Sequence, residues 1–172
     1  MTLRRAVFLD RDGTINENRS DHVKSLDEFV FLPGALEALR RLAATPLAIV
    51  IVSNQSVINR GLASAETVHA INRHVREVVE AHGGRIDAFY FCPHRPDEQC
   101  TCRKPQPGLL YQAQAQLNLD LKRSYMVGDA ATDVEVAQVV GCRPILVLTG
   151  RGAKQLELLT PAQRELAYVA RD

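Results

Sequence analysis

FLDRDGTIN, residues 8–16, decides how the rest of the chain is read. An apolar run of strand character, residues 6–9, stops abruptly at Asp10, and a second carboxylate, Asp12, follows two residues later. Gly13 permits a tight turn there and Thr14 supports it. Two carboxylates one residue apart at a strand end can serve one reaction in different roles. The same D-x-D-G spelling also occurs in calcium loops and in ordinary turns. An EF-hand loop beginning at Asp10 requires more oxygen ligands and a glutamate at its twelfth position, which here is Asp21. A strand-like segment, not a helix, precedes it, which weakens the calcium reading.

Working outward, further apolar runs recur at 47–52, 88–91, 125–127 and 145–148, most of them rich in Val, Ile, Phe or Tyr. Helical spacing lies between them: Leu36, Leu39, Leu42 and Ala43; Val68, Ile71, Val75, Val78 and Val79; Leu109, Leu110, Ala113 and Leu117; Val134, Ala137 and Val140. Near-continuous apolar strands alternating with helices predict an α/β fold, a doubly wound, mostly parallel sheet with helices on both faces. We expect a single domain over 1–172, with no internal repeat or low-complexity linker. The tail beyond Gly150 and Gly152 reads as a closing helix.

Sheets of this kind bind ligands beyond the carboxyl ends of their strands, and two further strand ends and one helix start carry polar groups. Ser53, Asn54 and Gln55 end the second run and offer hydroxyl, amide and backbone N–H donors to a phosphoryl oxygen; a plain polar turn reads the same way. Arg103 and Lys104 enter a helix starting near Pro107, where fixed positive charge would neutralise a phosphoryl group, or would be surface charge. Gly128 and Asp129 end the fourth run, with Asp133 on the following helical turn, where an acidic residue also suits a helix N-terminus. Their order, each at a strand end or helix start, is what makes the four together specific.

Cys92, His94, Cys100 and Cys102 form C-x-H-x5-C-x-C, the composition of a tetrahedral zinc site whose every position is filled by protein, hence structural. The loop 92–102 is too polar to pack itself, so a metal can supply its order. Cys102 directly precedes Arg103 and Lys104, and the ion would set the pose of both cations. Cys142 sits far away in an apolar stretch.

The bulk properties exclude several classes. A net charge of +1 gives no footprint for nucleic acid, and the run 47–52 is far too short to cross a membrane. The N-terminal apolar run is too short for a secretory signal, so a cytoplasmic location is expected, with a small-molecule partner. No exposed heptad or long apolar patch is evident, which points to a monomer.

The ordered set DRDGT, SNQ, RKP and GDAATD resembles the haloacid-dehalogenase superfamily of phosphatases over residues 6–150. That resemblance implies that Asp10 attacks phosphorus and becomes an aspartyl phosphate. Asp12 would protonate the leaving oxygen and then activate water. It also implies Mg2+ on the Asp10 carboxylate, the Asp12 carbonyl and the Asp129 carboxylate, with Ser53 holding a phosphoryl oxygen, Lys104 balancing charge, and Asp133 supporting Lys104 or Asp129. The stretch FCPHRPDEQCTCRKPQPGLL, with DRDGTIN and SNQS, is similar to the D-glycero-D-manno-heptose 1,7-bisphosphate phosphatases of the histidinol-phosphatase-like branch. Members of that family remove the 7-phosphate of the sugar in activated-heptose synthesis, a part of carbohydrate metabolism that serves lipopolysaccharide biosynthesis. They lack a large cap, and 172 residues leave no room for one. The residue at Arg103 helps recognise substrate there.

Departures from the family pattern touch specificity. Val57 stands where glycine is usual, His22 stands in a segment one residue longer than the common G-Y-V and faces either substrate or solvent, and Ala130 replaces a charged contact. His69, His74 and His82, on a helical face, receive no role. The leading expectation is therefore a magnesium-dependent phosphatase acting on a phosphorylated heptose, with Asn54, Gln55, Arg103 and His22 contacting substrate. The alternatives are a histidinol-phosphate or other small-metabolite phosphatase, and, in a different class, a catalytically inactive zinc-stabilised interaction module.

Overall fold

The computed structural model describes residues 3–172. Among the described residues six strands and six α-helices follow one another: β1 (Ala6–Leu9), α1 (Ala35–Ala43), β2 (Ala48–Asn54), α2 (Ala65–Ala81), β3 (Ala88–Cys92), α3 (Gly108–Leu117), β4 (Tyr125–Gly128), α4 (Ala131–Val140), β5 (Arg143–Val147), α5 (Gly152–Leu158), α6 (Pro161–Leu166) and β6 (Tyr168–Ala170). The strands form one six-stranded sheet in the order β3-β2-β1-β4-β5-β6, with every neighbouring pair parallel.

Side chains alternate across a strand, and β1 shows what that does. Ala6 and Phe8 face one layer, packed with Leu109, Leu110 and Ala113 of α3 and Val136 and Ala137 of α4. Val7 and Leu9 face the other, packed with Leu39 of α1 and Ile71, Val75 and Val79 of α2. Each fully buried Val, Leu, Ile or Phe among them is worth roughly 1.5–3 kcal/mol over an exposed one, so both faces must be covered, as the unbroken apolar runs predict. Helix α2 starts where its sequence says it should: the Ser64 hydroxyl caps it by accepting from the Thr67 N–H at 3.1 Å.

Topology places the functional residues. From β1 the chain builds outward through β2 to β3, then returns to set β4 on the other side of β1. The connections after β1 and β4 therefore diverge, leaving a crevice beyond their carboxyl ends. Asp10 and Asp129 flank it, and the Asp10 N–H continues the β1–β4 pairing by donating to the Val127 carbonyl at 2.9 Å.

The tail departs from expectation. In place of one closing helix there are two short ones, and then β6, which joins the sheet edge beside β5, with Leu148 N–H donating to the Ala170 carbonyl at 2.9 Å. With three residues, two of them exposed, β6 is too short and too solvated to carry a strand signature of its own; pairing with β5 creates it. Among the described residues no helix is long and apolar enough to cross a membrane.

Candidate active site

A cleft of about 940 Å³ opens above the crevice, with Asp10, Asp12, His22, Asn54, Arg103 and Arg151 in its lining. Ser53 and Asp129 lie just behind the wall, 3% and 0% exposed.

At the floor of the cleft, the buried Lys104 ammonium donates to the Val52 carbonyl at 2.9 Å and to Asp133 Oδ1 at 2.7 Å, and lies 2.9 Å from Asp10 Oδ1. Strand β2, the loop after the cysteine cluster, α4 and the end of β1 thus meet at one nitrogen. Its backbone is clamped as well: Lys104 N–H donates to Asn54 Oδ1 at 3.0 Å and Asn54 Nδ2 donates to the Lys104 carbonyl at 3.1 Å. Asn54 therefore positions Lys104 as well as lining the cleft. Asp133 Oδ2 accepts from the Ala130 N–H at 3.1 Å, so this carboxylate serves the ammonium and the start of α4 together.

Burial pushes the Asp10 carboxyl up to about 6 even with Lys104 opposing it. Burial would lower Lys104, but the facing Asp10 and Asp133 charges outweigh it and hold the ammonium above its ordinary value. Asp129 is likewise pushed up to about 6, first by burial and then by the nearby Asp10 charge. Its Oδ2 accepts from the Arg151 N–H at 2.7 Å, whereas Oδ1 is buried with no partner.

Such an orphaned carboxylate oxygen calls for a cation. Ligand oxygens of Asp10, Asp129 and Asp133 lie within 4.8 Å of one another, but Asp133 is already committed to Lys104 and the helix, which leaves Asp10 and Asp129 to hold a metal. Hard carboxylate oxygens suit a small divalent ion. Glycines make the approach possible. A Cβ on Gly13 would sit 2.1 Å from Asp129 Oδ2, and one on Gly150, 2.4 Å. Thr149 Oγ1 ties the two loops by donating to the Gly13 carbonyl at 2.7 Å.

Asp12 is gripped from the protein side. Asn16 Nδ2 donates to Oδ1 at 2.9 Å, Gln55 Nε2 donates to Oδ2 at 2.7 Å, and the Arg11 guanidinium donates to both oxygens at 3.2 Å. Burial raises this carboxyl, but Arg11, Asn16 and Gln55 together more than offset that and leave it below the usual range. Arg11 is itself fully buried. The Gln55 amide is turned to Asp12, Arg11 and Ser53, even though the residue lines the cleft.

The four cysteine-cluster side chains converge as their spacing predicts. Ligand atoms of Cys92, His94, Cys100 and Cys102 all lie within 4.8 Å of one another. Sulfurs about 2.3 Å from a tetrahedral metal stand roughly 3.8 Å apart. Here Cys100 Sγ lies 3.7 Å from Cys92 and 3.8 Å from Cys102, and His94 Nδ1 lies 3.3 Å from both Cys92 and Cys102. The Cys92–Cys102 separation, 2.8 Å, is shorter than that edge. The set fits a four-coordinate ion closed to substrate. Arg103, next in sequence, lies in the cleft wall and donates from Nη1 to the His94 carbonyl at 3.0 Å.

The departures resolve structurally. Val57 is buried and does not adopt positive φ, so its loop needs no glycine. His22 lies in the cleft lining at φ 66°, its imidazole held below its ordinary value by burial and by Arg60. Ala130 lies in the wall, 4% exposed. Sequence reasoning overlooked Arg11, Asn16 and Arg151. The first two sit inside the quoted DRDGTIN motif, where an arginine between two carboxylates was the available signal; the TGRG turn gave none for Arg151.

A HAD-hydrolase-like family model matches residues 101–172. The chain is 40% identical over 153 residues to the D-glycero-β-D-manno-heptose-1,7-bisphosphate 7-phosphatase of Pseudomonas aeruginosa, covering 89% of this chain and 86% of that protein. It is 39% identical over 180 residues to the D-glycero-D-manno-heptose-1,7-bisphosphate 7-phosphatase of Thermosynechococcus vestitus, covering 98% and 91%. The crystal structure of D,D-heptose 1,7-bisphosphate phosphatase from B. bronchiseptica, complexed with magnesium and phosphate, superimposes with a TM-score of 0.91 at 38% identity, over 98% of this chain and 93% of that one. With relatives this similar along nearly their whole length, and a crevice built from the four expected motifs, the chain belongs to the heptose-1,7-bisphosphate 7-phosphatase family of HAD-like hydrolases.

Proposed function

We propose that the protein removes the 7-phosphate of D-glycero-D-manno-heptose 1,7-bisphosphate through an aspartyl phosphate on Asp10. The observation that carries this reading is the Asp10 carboxylate at the cleft floor. Lys104 engages its Oδ1 at 2.9 Å, and the carboxylate lines the cleft where a substrate would enter. One Asp10 oxygen forms a bond to phosphorus as the bond from phosphorus to the sugar oxygen breaks, and that oxygen leaves with a proton from Asp12. Water then attacks phosphorus, gives its proton to Asp12, and inorganic phosphate departs as the Asp10 carboxylate is restored. Asp12 rests ionised; an anionic phosphoryl group brought beside it raises its proton affinity, so the proton arrives with the substrate.

Asp10, the Asp12 carbonyl and Asp129 would hold Mg2+, which when bound neutralises negative charge between the carboxylates and the phosphoryl group. Lys104 balances the remaining charge, Asp133 orients Lys104, and Ser53 donates its hydroxyl to a phosphoryl oxygen. Zn2+ at Cys92, His94, Cys100 and Cys102 would order the loop that presents Arg103. With His22 and Asn54, Arg103 contacts the sugar and its second phosphate. The chain acts as a single-domain cytoplasmic monomer, and the loops around the cysteine cluster stand in for a cap.

Phosphate release from both heptose 1,7-bisphosphate anomers, histidinol phosphate and simple sugar phosphates, with magnesium and then with chelator, tests the reading. A strong magnesium-dependent preference for a heptose bisphosphate supports it. Comparable low rates on every substrate sink the heptose assignment, and no release at all favours an interaction module.

A further inference from the structure

We infer that Gln55 is a positioning residue for Asp12, coupling the acid–base carboxylate to the phosphoryl-binding strand end, and does not itself act as a substrate contact. The inference rests on the proposed role of Asp12. The Gln55 backbone is fixed first: its N–H donates to the Cys92 carbonyl at 2.7 Å, extending the β2–β3 pairing past the last strand residue. Its side chain then spans two elements. Nε2 donates to Asp12 Oδ2 at 2.7 Å and approaches Ser53 Oγ at 3.2 Å, while Oε1 accepts from Arg11 Nη2 at 3.1 Å.

Only one orientation of the amide satisfies these partners. Turned over, it would aim a carbonyl oxygen at a carboxylate and an NH2 group at a guanidinium, opposing like with like at both ends. Arg11 cannot swing aside to accommodate that, because it is fully buried and bonded to Asp12 and to Asn72 Oδ1 on α2, the latter at 3.5 Å. The donor is therefore locked onto Asp12 Oδ2. Each carboxylate oxygen has two acceptor sites, and Asn16, Gln55 and Arg11 together fill all four on Asp12. It therefore exchanges a proton with the cleft, where its side chain is 23% exposed, as one of the longer 3.2 Å Arg11 contacts gives way while Gln55 keeps it aimed. Accepting Nε2 at Ser53 Oγ also leaves that hydroxyl's own proton free to point elsewhere.

The test uses leaving groups that differ in their need for a proton. A sugar alkoxide leaves poorly unless protonated, whereas p-nitrophenolate leaves readily as the anion. First-turnover release of each is measured by rapid quench and stopped flow on the magnesium-loaded full chain. That isolates phosphorylation of Asp10 from the later hydrolysis, which needs Asp12 for either substrate. The variants are Gln55→Met, which keeps volume, and Gln55→Glu, which keeps shape but repels Asp12, with Asp12→Asn as reference. Circular dichroism and magnesium titration confirm the fold.

We expect both Gln55 variants to slow sugar release about 10²-fold, within the range general acid catalysis supplies, and to slow phenolate release less than tenfold, tracking Asp12→Asn. Equal losses on both substrates, or no loss on either, overturn the inference: equal losses place Gln55 in phosphoryl binding or in folding. Should Gln55→Met fail to fold, Gln55→Glu alone decides by the same ratio. If Asp12→Asn itself lacks the selectivity, it is the underlying reading of Asp12 that has failed. If Asp12→Asn shows it and the Gln55 variants do not, only the Gln55 assignment falls.

Discussion

Replacing Lys104 by methionine keeps most of the side-chain volume and deletes one positive charge from a buried site containing Asp10 and Asp133. The ammonium lies 2.9 Å from one carboxylate and 2.7 Å from the other, and all three residues are at most 7% exposed. Breaking a buried ion pair by removing one partner costs about 3–5 kcal/mol, because the remaining charge is left unpaired. Here two carboxylates are stranded, so Lys104→Met should fall at the upper end of that range. Asp133→Asn alone is milder, since Asp10 still faces the ammonium. In the double variant the neutral amide at position 133 no longer repels Asp10, so its cost should fall short of the sum of the single costs by about 2 kcal/mol, a coupling typical of contacting charges. Urea unfolding of the four proteins without added metal, followed by circular dichroism, measures the cycle. Additivity within about 0.5 kcal/mol would show that the ammonium and Asp133 do not act as one unit, and would refute the charge network drawn for the cleft floor. On the catalytic side, Lys104→Met should slow turnover by about 10²–10³-fold, the loss seen when one preorganised charge or donor is removed.

Other perturbations bear on neighbouring parts of the site. Asp10→Asn should fold normally, as circular dichroism would show, yet release essentially no phosphate; retained turnover would remove Asp10 from the chemistry. Asp129 titrates at about 6 instead of 3.8, so the folded state holds a proton that the unfolded state has released. The metal-free protein should therefore lose stability as pH rises from about 4 through 6, Asp129 alone contributing about 3 kcal/mol for some two units at about 1.4 kcal/mol each, with Asp10, pushed up to the same value, adding a loss of the same sign. Magnesium affinity should weaken as pH falls through 6; thermal melts and titration calorimetry with and without magnesium read both effects, and flat profiles would contradict them. Gly150→Ala places a methyl group 2.4 Å from Asp129 Oδ2 and 2.5 Å from Gly13 Cα, at φ +55°; a loss of about 1–3 kcal/mol by overpacking, with weakened magnesium binding, is expected in unfolding and titration. Cys100→Ser should lower the zinc content found by elemental analysis and expose the 93–99 segment to limited proteolysis, whereas unchanged zinc and unchanged cleavage would mean the cluster does not order the loop.

Sequence alone determined the layered α/β fold, because the central strands β1 and β2 are buried on both faces and must spell unbroken apolar runs whatever they pair with. It also located Asp10, Ser53 and Asp129, since a polar side chain that interrupts such a run stands at the strand end. The cysteine cluster was equally legible, its ligands lying within eleven residues whose spacing is itself the signal. What the sequence left open depends on distance along the chain. Arg11 reads as one of many arginines until Asn72, 61 residues away, closes over it, and Thr149 reaches Gly13 across 136 residues. The unpartnered Asp129 oxygen, the locked Gln55 amide and the edge strand β6 arise in the same way. Local pattern encodes which residues must be buried and where strands stop; which buried groups then meet is decided by the strand order, which brings the ends of β1, β2 and β4 to one crevice.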